Sequence, residues 1–144
     1  MKKILAILAI SSIIVACDDD KEVDVLVGKW MPSEISINGE NIPYDGHTSC
    51  GNDYLQLNEF NSFEIVNYYE SDIQPDSTPE PPCLSEKYYG SYNVINNELK
   101  FLGSNFFQGG TIIEKSNTTL KLKRLIDVDG DGNDEEVIES FIKL

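Results

Sequence analysis

Beyond residue 24, apolar and polar positions alternate through most of the chain. Alternation with period two marks half-buried strands, because successive side chains turn to opposite faces. VLVGKWM and SEISI come first, and Asn38-Gly39 follows as a hairpin-type turn. YLQLNEF and SFEIVNYY come next, split near Asn61. Residues 71–87 hold Pro75, Pro79, Pro81 and Pro82. Proline cannot donate to a strand ladder, so this stretch reads as a loop. YYGSYNVI and ELKFLG flank a second tight turn at Asn96-Asn97. TIIEKS, TTLKLKRLI and EVIESFIKL finish the chain, and nothing after the start sustains capped helical periodicity. So many short strands at short spacing predict an all-β fold, an antiparallel sandwich or barrel.

The start of the chain breaks this pattern. Lys2 and Lys3 precede an uncharged, mostly apolar run from Ile4 to Ala16. That run is too short for a spanning helix, which needs roughly 20 residues. It reads as a signal peptide over residues 1–16. Ile14-Val15-Ala16-Cys17 resembles a bacterial lipoprotein lipobox. The resemblance implies cleavage before Cys17 and acylation of that cysteine with palmitate-type chains, and several chains together make a stable membrane anchor. Asp18, Asp19 and Asp20 follow directly, within an acidic tether over residues 17–23. Like charges repel and extend such a linker. An acidic run in this place also resembles the surface-export signal of Bacteroidota lipoproteins. The expected location is therefore the outer membrane, lipid-anchored and facing the cell surface, with the periplasmic face as the alternative.

Removing 16 of 144 residues leaves 128, enough for one ordinary domain over residues 24–144. The mature chain holds 9 basic against 25 acidic residues, a net charge of −16. Such a surface repels phosphates, so nucleic acid is excluded as a partner and divalent cations or basic partners are favoured. With Cys17 lipidated, Cys50 and Cys83 remain as an even pair, which in an exported chain reads as a disulfide. Its loop would contribute roughly 3–4 kcal/mol by chain entropy. The alternative is two unpaired thiols.

Alternation puts Leu120, Leu122, Arg124 and Ile126 on one strand face. Arg124 is the only arginine, and a buried guanidinium needs a partner. Trp30, the only tryptophan, shares its face with Leu26 and Gly28. Stacking of Arg124 on that indole would gain about 0.5–2 kcal/mol. Gly28-Lys29-Trp30 resembles the G-x-W signature on the first strand of lipocalins, where the tryptophan packs at the closed end under a basic residue from a late strand. The ordered series of GKW, a cysteine near the third strand, NSF, a second cysteine before YGSYNV, NELKF, SNTTLKL and SFIKL resembles the lipocalin-like domains of Bacteroidota lipoproteins, over about residues 24–144. The resemblance implies an up-and-down barrel of about eight strands, closed at one end by Gly28, Trp30 and Arg124. Barrels of that size enclose side chains or one small ligand.

Candidate catalytic groups are few. His47 is the only histidine, in YDGHTSCG, and its neighbour Cys50 is assigned to the disulfide. It reads as a solvated loop histidine, and Tyr68, Tyr69, Tyr88, Tyr89 and Tyr92 read as barrel wall. No nucleophile–base constellation is visible, so the chain is expected not to be an enzyme. In DVDGDGNDEE, Asp127, Asp129 and Asp131 alternate before Gly132, with Asn133 and Glu135 following. This resembles a calcium loop, positions 1, 3, 5, 7 and 9, but position 12 is Ile138 where a glutamate belongs. An ordinary Asp/Gly turn is the alternative. The expected function is binding of a small apolar molecule by a membrane-anchored monomer. The alternative is a structural or interaction module whose barrel is filled by its own side chains. A cavity of about 300 Å³ or more would favour the first.

Overall fold

Asn38 and Gly39 take φ of 50° and 86°. Positive φ at both central residues is what a two-residue hairpin requires. They turn β1 (Gly28–Ile37) into β2 (Glu40–Pro43). The computed structural model describes residues 25–71, 83–103 and 109–144. The signal peptide, Cys17 and the tether lie outside the described residues. The chain continues as β3 (Tyr54–Leu57), β4 (Ser62–Glu70), β5 (Cys83–Ile95), β6 (Glu98–Leu102), β7 (Gly110–Lys115), β8 (Thr119–Ile126) and β9 (Glu135–Lys143).

Every pairing is antiparallel, and β9 returns to pair with β1. That closure leaves neither β1 nor β9 as a free sheet edge. β2 and β3 lie on the same edge of β1. Ile35 pairs with Ile42 of β2, and Lys29 pairs with Gln56 of β3. Nine strands therefore form eight staves, as the resemblance implied.

The two runs around Pro32 are one strand. A bulge between Pro32 and Glu34 absorbs the proline and shifts the phase of alternation. Trp30 and Pro32 oppose Lys143 and Phe141, whereas beyond the bulge Ile35 and Ile37 oppose Glu139 and Val137. The expected proline loop ends earlier than residue 87, because β5 begins at Cys83, opposite Glu70. β2 carried no apolar alternation and all four of its residues are exposed, so its pairing was not legible.

The core fills the end of the barrel where β1 begins and β9 finishes. Leu26, Trp30, Leu57, Leu99, Leu120 and Leu122 are fully buried there. Phe63 and Phe101 meet edge to face with centroids 4.6 Å apart. Gly90 stands opposite Phe63, and a Cβ at that position would come within 2.7 Å of the Phe63 ring. Each fully buried large apolar side chain contributes about 1.5–3 kcal/mol, so this plug dominates the barrel's stability. Among the described residues no helix is long and apolar enough to cross a membrane.

Candidate binding cup

The closed end is built around Trp30. Its indole N–H donates to the Leu26 carbonyl at 2.7 Å, which satisfies the one polar atom of a fully buried ring. The Lys143 ammonium lies 5.0 Å from the ring centroid and donates to the Val25 carbonyl at 3.1 Å. Gly28 has φ of 144°, and a Cβ there would collide with the Lys143 stem. The glycine of the GKW motif thus makes room for the lysine that covers the tryptophan.

Arg124 does not take that place. Its guanidinium is ion-paired with Glu139, with both side chains largely buried. Register explains the difference. Arg124 opposes Val137, whereas Trp30 opposes Lys143, six residues further along β9. Leu120 and Leu122, on the same face as Arg124, reach the core, and the strand then carries Arg124 towards the other end. Alternation from Phe141 would have placed Lys143 on the inner face. What could not be read was that β9 closes against β1.

Above the plug lies a cavity of about 120 Å³, partly open to solvent. Pro32, Ile35, Leu55, Ile65 and Phe141 give it apolar walls. Tyr44, Asp53, Asn67, Tyr88 and Glu139 contribute polar groups. The 44–53 segment supplies two of these and is fixed at several points. Cys50 and Cys83 are bonded, with Cα atoms 5.2 Å apart, which ties this segment to the start of β5. The Tyr44 hydroxyl donates to Asp53 Oδ2 at 2.5 Å, and the Tyr68 backbone N–H donates to Oδ1 at 2.6 Å. Burial, the Asp53 bond and the charges of Asp53, Glu139 and Asp45 push the Tyr44 hydroxyl well above its ordinary range, so it remains a donor at neutral pH.

His47 is not a solvated loop residue. It is half-buried, its ring meets Tyr44 edge-on at 4.9 Å, and Nε2 lies 2.8 Å from the Pro32 carbonyl. A carbonyl only accepts, so Nε2 carries the proton. Cys50 is consumed in the disulfide and cannot serve as a nucleophile beside it.

Glu139 is the unusual group of the wall. Burial pushes its carboxyl above the ordinary carboxylate range, against the pull of Arg124. One oxygen meets Arg124, and the other, Oε2, is buried without a hydrogen-bond partner among the described residues. The sequence reading missed Tyr44, Asp53 and Glu139. Glu139 was detectable as a lone acid alternating in phase with Val137 and Phe141. Tyr44 and Asp53 sit in a loop with no periodic signal.

The tyrosines divide. Tyr92 is buried and donates to the Asn58 carbonyl at 3.1 Å, Tyr88 lines the cavity, and Tyr68 packs against Gly51. Tyr69 and Tyr89 are exposed. In the turn between β8 and β9, carboxylate oxygens of Asp127, Asp129 and Glu135 lie within 4.8 Å of one another. Asp131 and Asn133 instead bond each other, with the Asn133 backbone N–H donating to Asp131 at 2.7 Å. These bonds hold the Asp131 carboxyl below its ordinary range. Asp127 accepts from the backbone N–H groups of Gly130 and Gly132 at 2.7 and 3.0 Å.

An eight-staved closed barrel, plugged at one end around a tryptophan and hollow above the plug, defines a cup-shaped barrel. The chain belongs to the lipocalin-like domain family, whose model matches residues 26–122. Domains of this family are generally non-catalytic binding proteins. The match ends before Arg124, so Glu139, Lys143 and the acidic turn lie beyond it. No curated protein and no solved structure gives a significant match.

Proposed function

We propose that this chain is a lipid-anchored envelope lipoprotein of the Bacteroidota type whose barrel holds a small, mainly apolar molecule and performs no chemistry on it. The cavity above the Trp30 plug carries this reading. At about 120 Å³ it falls short of the roughly 300 Å³ of ordinary ligand pockets. It is nearer the roughly 150 Å³ cavity lined by apolar side chains that holds benzene. The occupant is therefore no larger than a single ring with a short substituent, unless it projects into solvent.

The anchor fits the geometry of the barrel. Val25 enters at the closed end, eight residues after Cys17. A short tether there stands the barrel on its plug and leaves the cup accessible. The filled half of the barrel favours the second reading, an interaction module with no ligand. Native mass spectrometry of protein purified from its own membrane separates the two. A bound mass of one to two hundred daltons above the lipidated chain supports the cup, and a bare lipidated chain supports the module. Cys17→Ser tests the anchor: the variant is expected in the soluble fraction or unprocessed, and normal processing with full membrane retention would refute lipidation.

A further inference from the structure

The cup's wall carries one sign of charge. Glu34, Asp53 and Glu139 line the cavity, and among the described residues no lysine or arginine does. Asp53 is 5% exposed, and its hydrogen bonds come from two neutral donors, the Tyr44 hydroxyl and the Tyr68 N–H. Neither donor carries a charge to balance that carboxylate. Arg124 is ion-paired with Glu139, whose other oxygen is buried without a donor among the described residues. Three carboxylates against one guanidinium leave the wall with a net negative charge. Buried carboxylates without compensation are costly, and a cation entering a low-dielectric site relieves that cost.

The surroundings reinforce the sign. The turn at the far end from Trp30 carries Asp127, Asp129, Asp131 and Asp134, all exposed, and the chain's net charge is −14. Such a field concentrates cations near the opening and repels anions. The apolar half of the wall argues against a bare metal ion, which would need six or more oxygens where Asp53 already accepts two hydrogen bonds and Glu139 is paired with Arg124.

We infer that the cup selects a small organic cation, an apolar body of about one ring bearing a single ammonium group, and rejects carboxylate ligands such as fatty acids. This rests on the ligand-binding reading and adds the charge of the ligand to it.

The test uses three probes of one shape, benzylamine, benzyl alcohol and benzoate, titrated calorimetrically into the folded protein near pH 7 and 0.15 M salt. The expected order is benzylamine at least tenfold tighter than benzyl alcohol, with benzoate weakest. Asp53→Asn and, separately, Glu139→Gln should each shrink the amine's advantage over the alcohol, with folding of each variant checked by circular dichroism. Equal or tighter binding of the alcohol or of benzoate overturns the inference while leaving the cup a ligand site. An amine advantage that survives in both variants, if folded, overturns the assignment of its origin to the wall. Binding of none of the three overturns the inference, and native mass spectrometry then decides independently whether the cup holds any ligand.

Discussion

Lys143 and Trp30 face each other across the β1–β9 closure, the ammonium 5.0 Å from the indole centroid. The first strand and the last, paired from Trp30–Lys143 to Ile37–Val137, are thereby joined through side chains at the plugged end as well. Gly28, two residues before the tryptophan, leaves the space the lysine stem occupies. Three residues from opposite ends of the chain make a single contact.

Lys143→Ala is expected to lower stability by about 0.5–2 kcal/mol, the range of a partly desolvated cation–π contact. The change should appear as a lower urea midpoint at unchanged slope. Trp30 is the only tryptophan, so its emission reports the site directly. Emission should shift in Lys143→Ala and stay unchanged in Arg124→Ala, which perturbs the other end. A Trp30 response to Arg124→Ala alone would restore Arg124 to the closed end.

Reducing the Cys50–Cys83 bond should cost roughly 3–4 kcal/mol by chain entropy. It should also loosen the segment that presents Tyr44 and Asp53 to the cup. Hydrogen exchange should therefore rise first at residues 44–53, ahead of the plug. Labelling of either thiol in the folded, unreduced protein would contradict the bridge.

How far this architecture could be read from the sequence depended on the range of the interaction. Alternation in TTLKLKRLI and EVIESFIKL, and the two Asn-containing turns, are local, and the strands came out within a few residues. The disulfide was readable because, with Cys17 read as a lipidation site, two cysteines were left to pair. The partner of Trp30 was not, since it depends on which strand closes the barrel and on a bulge at Pro32 that resets the phase. The cup was hidden for the same reason: Asp53 and Glu139 are 86 positions apart and meet only in the closed barrel.

Glu139 should give stability a distinctive pH dependence. Burial raises its folded pKa above the ordinary 4.5, and Arg124 opposes that rise. The folded state then binds more protons than the unfolded state between 4.5 and the raised value, so stability falls as pH rises through that window. Its contribution is complete below about pH 4.5 and lost above the folded pKa. Charged and titratable groups near it are Arg124 on β8, Glu34 on β1, Tyr44 and Asp53 in the loop and Tyr88 on β5. Comparing denaturation midpoints of wild type and Glu139→Gln from pH 4 to 7 isolates the effect. Wild type should lose stability relative to the variant as pH rises through the window, and a constant difference would show that Glu139 does not titrate there.

The acidic turn between β8 and β9 offers a final comparison. Asp127 accepts two backbone N–H groups, Asp131 accepts from Asn133, and Glu135 accepts from the Val128 N–H at 2.8 Å. The turn is thus supported by its own hydrogen bonds, and it should form in the presence of a chelator. Charge-assisted hydrogen bonds contribute about 1.5–3 kcal/mol each when sheltered and less at an exposed turn. Asp127→Ala should therefore lower the melting temperature by a few degrees even in chelator, since about 1 kcal/mol moves it roughly 2–8 °C in domains of this size. Calcium is a separate matter, because Asp127, Asp129 and Glu135 converge and repel one another. Weak binding, on the order of 10⁻⁴–10⁻³ M as in extracellular modules, should raise the melting temperature of wild type at about 10 mM calcium. Asp129→Asn removes one converging charge and should abolish the rise. A wild-type melting temperature that ignores calcium, together with the loss caused by Asp127→Ala, would make DVDGDGNDEE a self-capped turn and nothing more.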